Sequence, residues 1–149
     1  LVQKVSDAIS LLEIQAINKD ILITSNVPNT VFVDADENML DTILRNLISN
    51  AIKFTEVKGK VQISSTTNSN FIEISVKDNG VGISQSDLEN LFSIELKKSN
   101  VGTANEQGSG LGLILCKDFI EKHGGKLWVE SSIYEGSEFK FTLPIAILS

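Results

Sequence analysis

The chain has little of what metal centres, disulfide scaffolds and basic interfaces are built from. It holds one cysteine, Cys116, and one histidine, His123, so it can form neither a disulfide nor a tetrahedral zinc site, which takes about four N or S ligands. Any metal must be bound through oxygen. Proline is scarce, at 2 of 149 residues, and a composition 42% hydrophobic and 21% charged is too apolar for a disordered segment. This length accommodates one core, so a single folded domain over residues 1–149 is expected. Basic residues are outnumbered, 13 Lys and Arg against 19 Asp and Glu, and the net charge of −6 argues against nucleic acid or an anionic membrane as the main partner. No apolar run approaches the roughly 20 residues of a bilayer span, and the opening Leu1-Val2-Gln3-Lys4 has no signal-peptide pattern. The chain starts without Met and directly in helical periodicity, as a piece of a longer protein would.

What is present is periodic. Val5, Ala8, Ile9, Leu12 and Ala16 recur at helical spacing over residues 5–17, and a short β-type run follows at 21–23. Asp34 and Glu37 have the spacing of a capping box with Asp34 as the cap, opening the strongest helix at 36–53. Met39, Leu40, Ile43, Leu44, Leu47, Ile48 and Ala51 form its apolar face. Residues 60–66 and 71–78 read as a hairpin around the turn 67–70. Period two then places Asp78 on the face of Ile72, Ile74 and Val76. A short helix is predicted over 84–92, an unperiodic polar stretch over 93–109, and a helix over 111–123 that Gly124-Gly125 stops. Strands at 127–130 and 138–143 close the chain. Strands in runs between helices predict a two-layer α/β sandwich with a mixed sheet.

Three constellations carry chemistry. Six of the ten glycines, Gly80, Gly82, Gly102, Gly108, Gly110 and Gly112, fall between positions 80 and 112. Turn chemistry alone accounts for such a cluster, but Gly108-Ser109-Gly110-Leu111-Gly112 leads into a helix, where backbone N–H groups and the helix dipole favour an anion. Neither a Walker A loop nor G-x-G-x-x-G is present. Asn46, Asn50 and Lys53, at i, i+4 and i+7, lie on one stripe beside the apolar face. They are either a solvated helix margin or a source of amide oxygen for a hard cation and of positive charge for a polyphosphate. Asp78 is either a turn residue bonding its own backbone or a buried acceptor for a ligand's amino group.

At these residues the sequence resembles the catalytic, ATP-binding domain of bacterial sensor histidine kinases, in the superfamily shared with gyrase, the Hsp90 chaperones and the MutL proteins. Asn46-Leu47-Ile48-Ser49-Asn50-Ala51-Ile52-Lys53-Phe54 is similar to the N box and Asp78-Asn79-Gly80-Val81-Gly82-Ile83 to the G1 box. Leu91-Phe92 looks like the start of the F box, and Gly108-Ser109-Gly110-Leu111-Gly112-Leu113 like the G2 box. The resemblance implies the Bergerat α/β sandwich, a mixed sheet backed by three helices, with residues 93–109 as a flexible lid over ATP. It implies that Asn50 coordinates Mg²⁺, that Asn46 and Lys53 meet the phosphates, that Phe54 lies against the adenine and that Asp78 accepts its amino hydrogen. Gly80, Gly82 and Ile83 would border the base; Gly108, Ser109, Gly110, Leu111, Gly112 and Leu113 would bring backbone amides to the phosphates.

Two departures bear on function. After Phe92 the chain reads Ser93-Ile94-Glu95, without the Pro and second Phe usual in the F box. Position 46 is Asn, whereas the ATP-hydrolysing relatives carry a Glu there as base for water. The resemblance therefore implies transfer of the γ-phosphoryl to a histidine on a separate dimerisation domain, with residues 1–17 near that junction and a response regulator receiver domain as the onward partner. It also implies a cytoplasmic domain whose parent is membrane-anchored. His123, before Gly124-Gly125, reads as a helix C-terminal residue rather than the acceptor. Two other readings use the same boxes: an ATP-hydrolysing relative, which Asn46 disfavours, and a module that binds nucleotide without transferring phosphate.

Overall fold

The helical stripe near the start of the chain becomes α1 (Val2–Asn18), which turns Val5, Ala8, Leu12 and Ala16 inward. The architecture comes from a computed structural model that describes residues 1–28, 33–68, 70–90 and 112–145. After α1 come β1 (Leu22–Asn26), α2 (Glu37–Phe54), β2 (Lys60–Thr67) and β3 (Phe71–Asp78). Then follow α3 (Gln85–Asn90), α4 (Gly112–Lys122), β4 (Leu127–Ser132) and β5 (Gly136–Pro144). The strands form one sheet in the order β1-β2-β3-β5-β4, with β1 and β2 parallel and every other pair antiparallel. The sheet is thus mixed, as expected, and α2 makes the crossover that a parallel pair requires.

Helices α1, α2 and α4 cover one face of the sheet, with α2 between the other two. Leu44, Leu47 and Ile48 on α2 are fully buried against Ile72, Ile74 and Val76 of β3 and Phe141 of β5 within one core. Each such side chain contributes roughly 1.5–3 kcal/mol by leaving water. The other face carries polar side chains: Lys140 pairs with Glu130 at 3.3 Å and Glu138 at 3.8 Å, and the Ser75 hydroxyl donates to Glu138. This alternation of apolar and polar positions is why the hairpin and the last strand are readable from sequence.

One expected boundary is corrected. The cap of α2 is Asp36, whose carboxylate accepts the Met39 N–H at 2.9 Å from an extended backbone of φ −66 and ψ 126. Asp34 is drawn elsewhere: its N–H donates to the Pro144 carbonyl at 3.0 Å, beside the Val33–Ile145 bridge to the end of β5. Strand β1 runs three residues beyond the expected 21–23, because its parallel register on β2 continues to Asn26 opposite Ser64. The stretch 93–109 lies outside the described residues.

Candidate functional site

An α-helix ends with four carbonyls that have no intrahelical donor. At the end of α2 these belong to Ala51, Ile52, Lys53 and Phe54. The Thr55 hydroxyl serves Ala51, and the Thr55 N–H serves Ile52 at 3.3 Å. The Lys19 ammonium reaches Ile52 at 3.0 Å and Lys53 at 3.1 Å. Phe54 takes the Val81 N–H at 3.1 Å. This last bond fastens the end of α2 to the glycine loop after β3, uniting two segments that are 27 positions apart.

The loop fits there only as glycine. A Cβ on Gly80 would lie 2.1 Å from the Phe54 carbonyl oxygen, and one on Gly82 would lie 2.0 Å from the Ser132 carbonyl oxygen. Gly82 also has φ +75, a left-handed conformation that side chains disfavour. Asp78, at the end of β3 between Val61 and Ser137, is 4% exposed. Its Oδ1 accepts the Gly80 N–H at 2.9 Å and the Ser137 N–H at 3.3 Å, and among the described residues no donor reaches Oδ2. Burial pushes its pKa up to about 6, against the pull of those two N–H groups. At neutral pH it is a carboxylate with an oxygen available to an amino group.

Asn46, Asn50, Lys53 and Phe54 run along α2 toward that loop. Asn46 donates its amide to the Thr42 carbonyl at 2.8 Å. Its Oδ1 lies 2.7 Å from where a Cβ on Gly112 would sit, so the first residue of α4 closes over it. Asn50 is half-buried, and among the described residues its amide has no partner. Lys53 is buried, with its ammonium 5.0 Å from the centroid of the Phe54 ring, a cation–π distance. The structure thus brings Phe54, Asp78, Gly80 and Gly82 together at one end and Asn46 with Gly112 at the other, Asn50 lying one turn from each. Ile83 and Leu113 are half-buried and pack against the core. Phe92, Gly108, Ser109, Gly110 and Leu111 lie outside the described residues.

Sequence reasoning missed three participants. Ser131 and Ser137 share a hydroxyl contact at 2.8 Å, Ser131 takes the Ile83 N–H at 2.8 Å, and Ser137 supports Asp78 through its N–H. The one sequence signal nearby was Gly136, at φ +96 against the Asp78 carbonyl. Lys19 is the third. His123 is placed away from the site: its Nε2 accepts the Asp36 N–H at 2.9 Å and its Nδ1 donates to the Phe119 carbonyl at 2.8 Å. Nε2 is thus engaged at the start of α2 and Nδ1 on α4, with Asp36 about 15 Å along the helix from Asn46 at 1.5 Å per residue.

Among the described residues no group of three or more His, Cys, Asp or Glu could hold a metal, and no helix is long and apolar enough to cross a membrane. Residues 35–147 match the family described as histidine kinase-, DNA gyrase B- and HSP90-like ATPases. The adaptive-response sensory kinase SasA of Prochlorococcus marinus (strain MIT 9215) is 37% identical over 131 residues, 85% of this chain and 34% of SasA. The chain therefore spans about a third of the length of such relatives. The nucleotide-free catalytic domain of histidine kinase ThkA superposes with a TM-score of 0.83 at 29% identity, covering 97% of this chain and 93% of that one. Full-length ShkA in complex with AMPPNP does so with 0.81 at 28%, covering 99% and 30%. A further ThkA structure holds the response regulator protein TrrA, with 0.78 at 28% over 98% of this chain and 40% of that one. The order of the boxes, the mixed sheet and the fastening of α2 to the glycine loop have one common account: the chain belongs to the family of histidine kinase-, DNA gyrase B- and HSP90-like ATPases, and its fold is that of a histidine kinase catalytic domain.

Proposed function

We propose that this domain binds Mg-ATP between the end of α2 and the loop after β3, and that it is the catalytic part of a sensor histidine kinase. The observation that carries the reading is Asp78: a buried carboxylate with one oxygen satisfied and the other open, beside glycines that let the backbone of Phe54 and Ser132 pack close to it. A neutral amide would suffice for a structural turn, so an ionised group there calls for a donor such as the adenine amino group. Phe54 borders the base, and Asn46 and Lys53 meet the phosphates together with the amides of the Gly108 to Gly112 segment. That ShkA, similar over 99% of this chain, forms a complex with AMPPNP supports the reading of a nucleotide-binding domain.

Mg²⁺ would be held by the Asn50 amide oxygen together with phosphate oxygens and water, which fits a cation that takes only one or two protein ligands in phosphate sites. When bound it neutralises charge on the polyphosphate. Everything else falls to the chain's own groups. Asn50 and Asn46 orient the phosphates, Lys53 adds a fixed positive charge, and the glycine loop excludes water from the base. Positioning and charge compensation are the larger part of what phosphoryl transfer needs.

Asn46 is neutral and tied to Thr42, so it does not serve as a base for water; this favours transfer over hydrolysis. His123, with its ring nitrogens occupied by the Asp36 N–H and the Phe119 carbonyl, is not the acceptor. The γ-phosphoryl goes to a histidine of a dimerisation domain joined at α1, and onward to a receiver domain; the ThkA–TrrA complex supports a response regulator as the onward partner. The domain works where ATP is, in the cytoplasm. Radiolabelled Mg-ATP tests this: label is expected on histidine only when the cognate dimerisation domain is added, and self-labelling of the isolated chain would overturn the reading.

A further inference from the structure

Lys19 belongs to none of the boxes. It stands between α1 and β1, with its N–H on the Ala16 carbonyl at 3.2 Å and its carbonyl accepting the Lys58 N–H at 2.9 Å. Its side chain runs inward, 5% exposed, to the carbonyls of Ile52 and Lys53. A cation at a helix C-terminus meets the negative end of the dipole, and two donors on one ammonium hold adjacent carbonyls in fixed relation. The next carbonyl, that of Phe54, receives Val81, and Gly80 packs against it too closely for any side chain. The connection between α1 and β1 is thereby linked to the loop after β3 through three consecutive carbonyls of α2.

Loss of the ammonium would take one donor from the Ile52 carbonyl and one from the Lys53 carbonyl. The last turn would then be held by two fewer bonds and relax toward water. Phe54 and the Val81 bond sit on that turn, so the loop would follow it.

We propose that Lys19 is a positioning residue for nucleotide binding: it fixes the last turn of α2 and, through the Phe54 carbonyl, the loop at residues 80–82. This rests on the reading of that loop as the adenine side of an ATP site. The test pairs Lys19→Met, which keeps the aliphatic stem and removes the donors, with Lys19→Arg, which keeps charge and donors.

Calorimetry with Mg-ATP is expected to give a Kd about tenfold weaker for Lys19→Met, with Lys19→Arg recovering at least part of the loss. Amide exchange without nucleotide supplies a readout that a merely structural role would not move. Val81 should lose protection in Lys19→Met by about tenfold, while Ile74, fully buried in the sheet centre, keeps its own. Equal loss at Val81 and Ile74, or an unchanged Kd in the folded variant, overturns the proposal. Should Lys19→Met fail to fold, Lys19→Leu, which also carries no donor, is read by the same two measurements. If the unmutated chain does not bind Mg-ATP, the site reading fails, and the Val81 to Ile74 comparison still decides whether Lys19 holds the loop.

Discussion

Replacing Asp78 by Asn should make the nucleotide-free domain more stable while weakening what the residue is for. Burial raises the Asp78 pKa from 3.8 to about 6, and each tenfold change in proton affinity corresponds to about 1.4 kcal/mol. The sign follows from linkage: the unfolded chain releases this proton first, so the stability gained from the protonated form is complete below about pH 4 and is lost as pH rises through about 6. At pH 7 the ionised carboxylate costs the fold about 3 kcal/mol. Asn keeps an oxygen for the N–H groups of Gly80 and Ser137 and cannot ionise, so Asp78→Asn should gain up to about 3 kcal/mol at pH 7 and nothing at pH 4. Urea unfolding of both proteins from pH 4 to 7.5 measures this, and the difference between the two curves cancels the other carboxylates. A difference that does not change with pH would refute the argument, since it would mean that Asp78 is not titrating in a buried site. The same substitution should reduce the preference for ATP over GTP, which a stranded acceptor sets at roughly tenfold or more.

Other outcomes follow from single contacts. Asn50→Ala should weaken Mg-ATP binding by about tenfold with an unchanged circular dichroism spectrum; unaltered affinity by calorimetry would remove Asn50 from the site. Tyr134 is 89% exposed and holds φ +68 in the turn between β4 and β5, so Tyr134→Gly should raise unfolding stability by about 1 kcal/mol in a urea titration. His123→Ala removes the acceptor for the Asp36 N–H and should cost about 1 kcal/mol, with no effect on phosphate transfer to an added dimerisation domain.

Much of the candidate site was legible because its residues lie in short segments with local rules. Helical spacing aligned Asn46, Asn50 and Lys53, and strand alternation turned Asp78 inward before any contact was known. The missed features depend on which segments meet in space. Asp34 sits three residues before Glu37, and only the fold shows its N–H bonded to Pro144 near the end of β5 and the cap left to Asp36. Lys19 bonds carbonyls 33 and 34 positions away, and a lysine near the end of a helix otherwise reads as a solvated charge. Ser137 reaches Asp78 through its backbone N–H, which any residue but proline could supply, so its identity carried no signal.

Calorimetric titration of the 149-residue chain with Mg-ATP tests the central claim most directly. The account predicts saturable binding at one site per chain, in the absence of any other domain. The bond from Val81 to Phe54 should also gain amide protection when nucleotide is present. Absence of binding by the folded chain, or binding that leaves the Val81 amide unaffected, would contradict the assignment of this loop and the end of α2 as the ATP site.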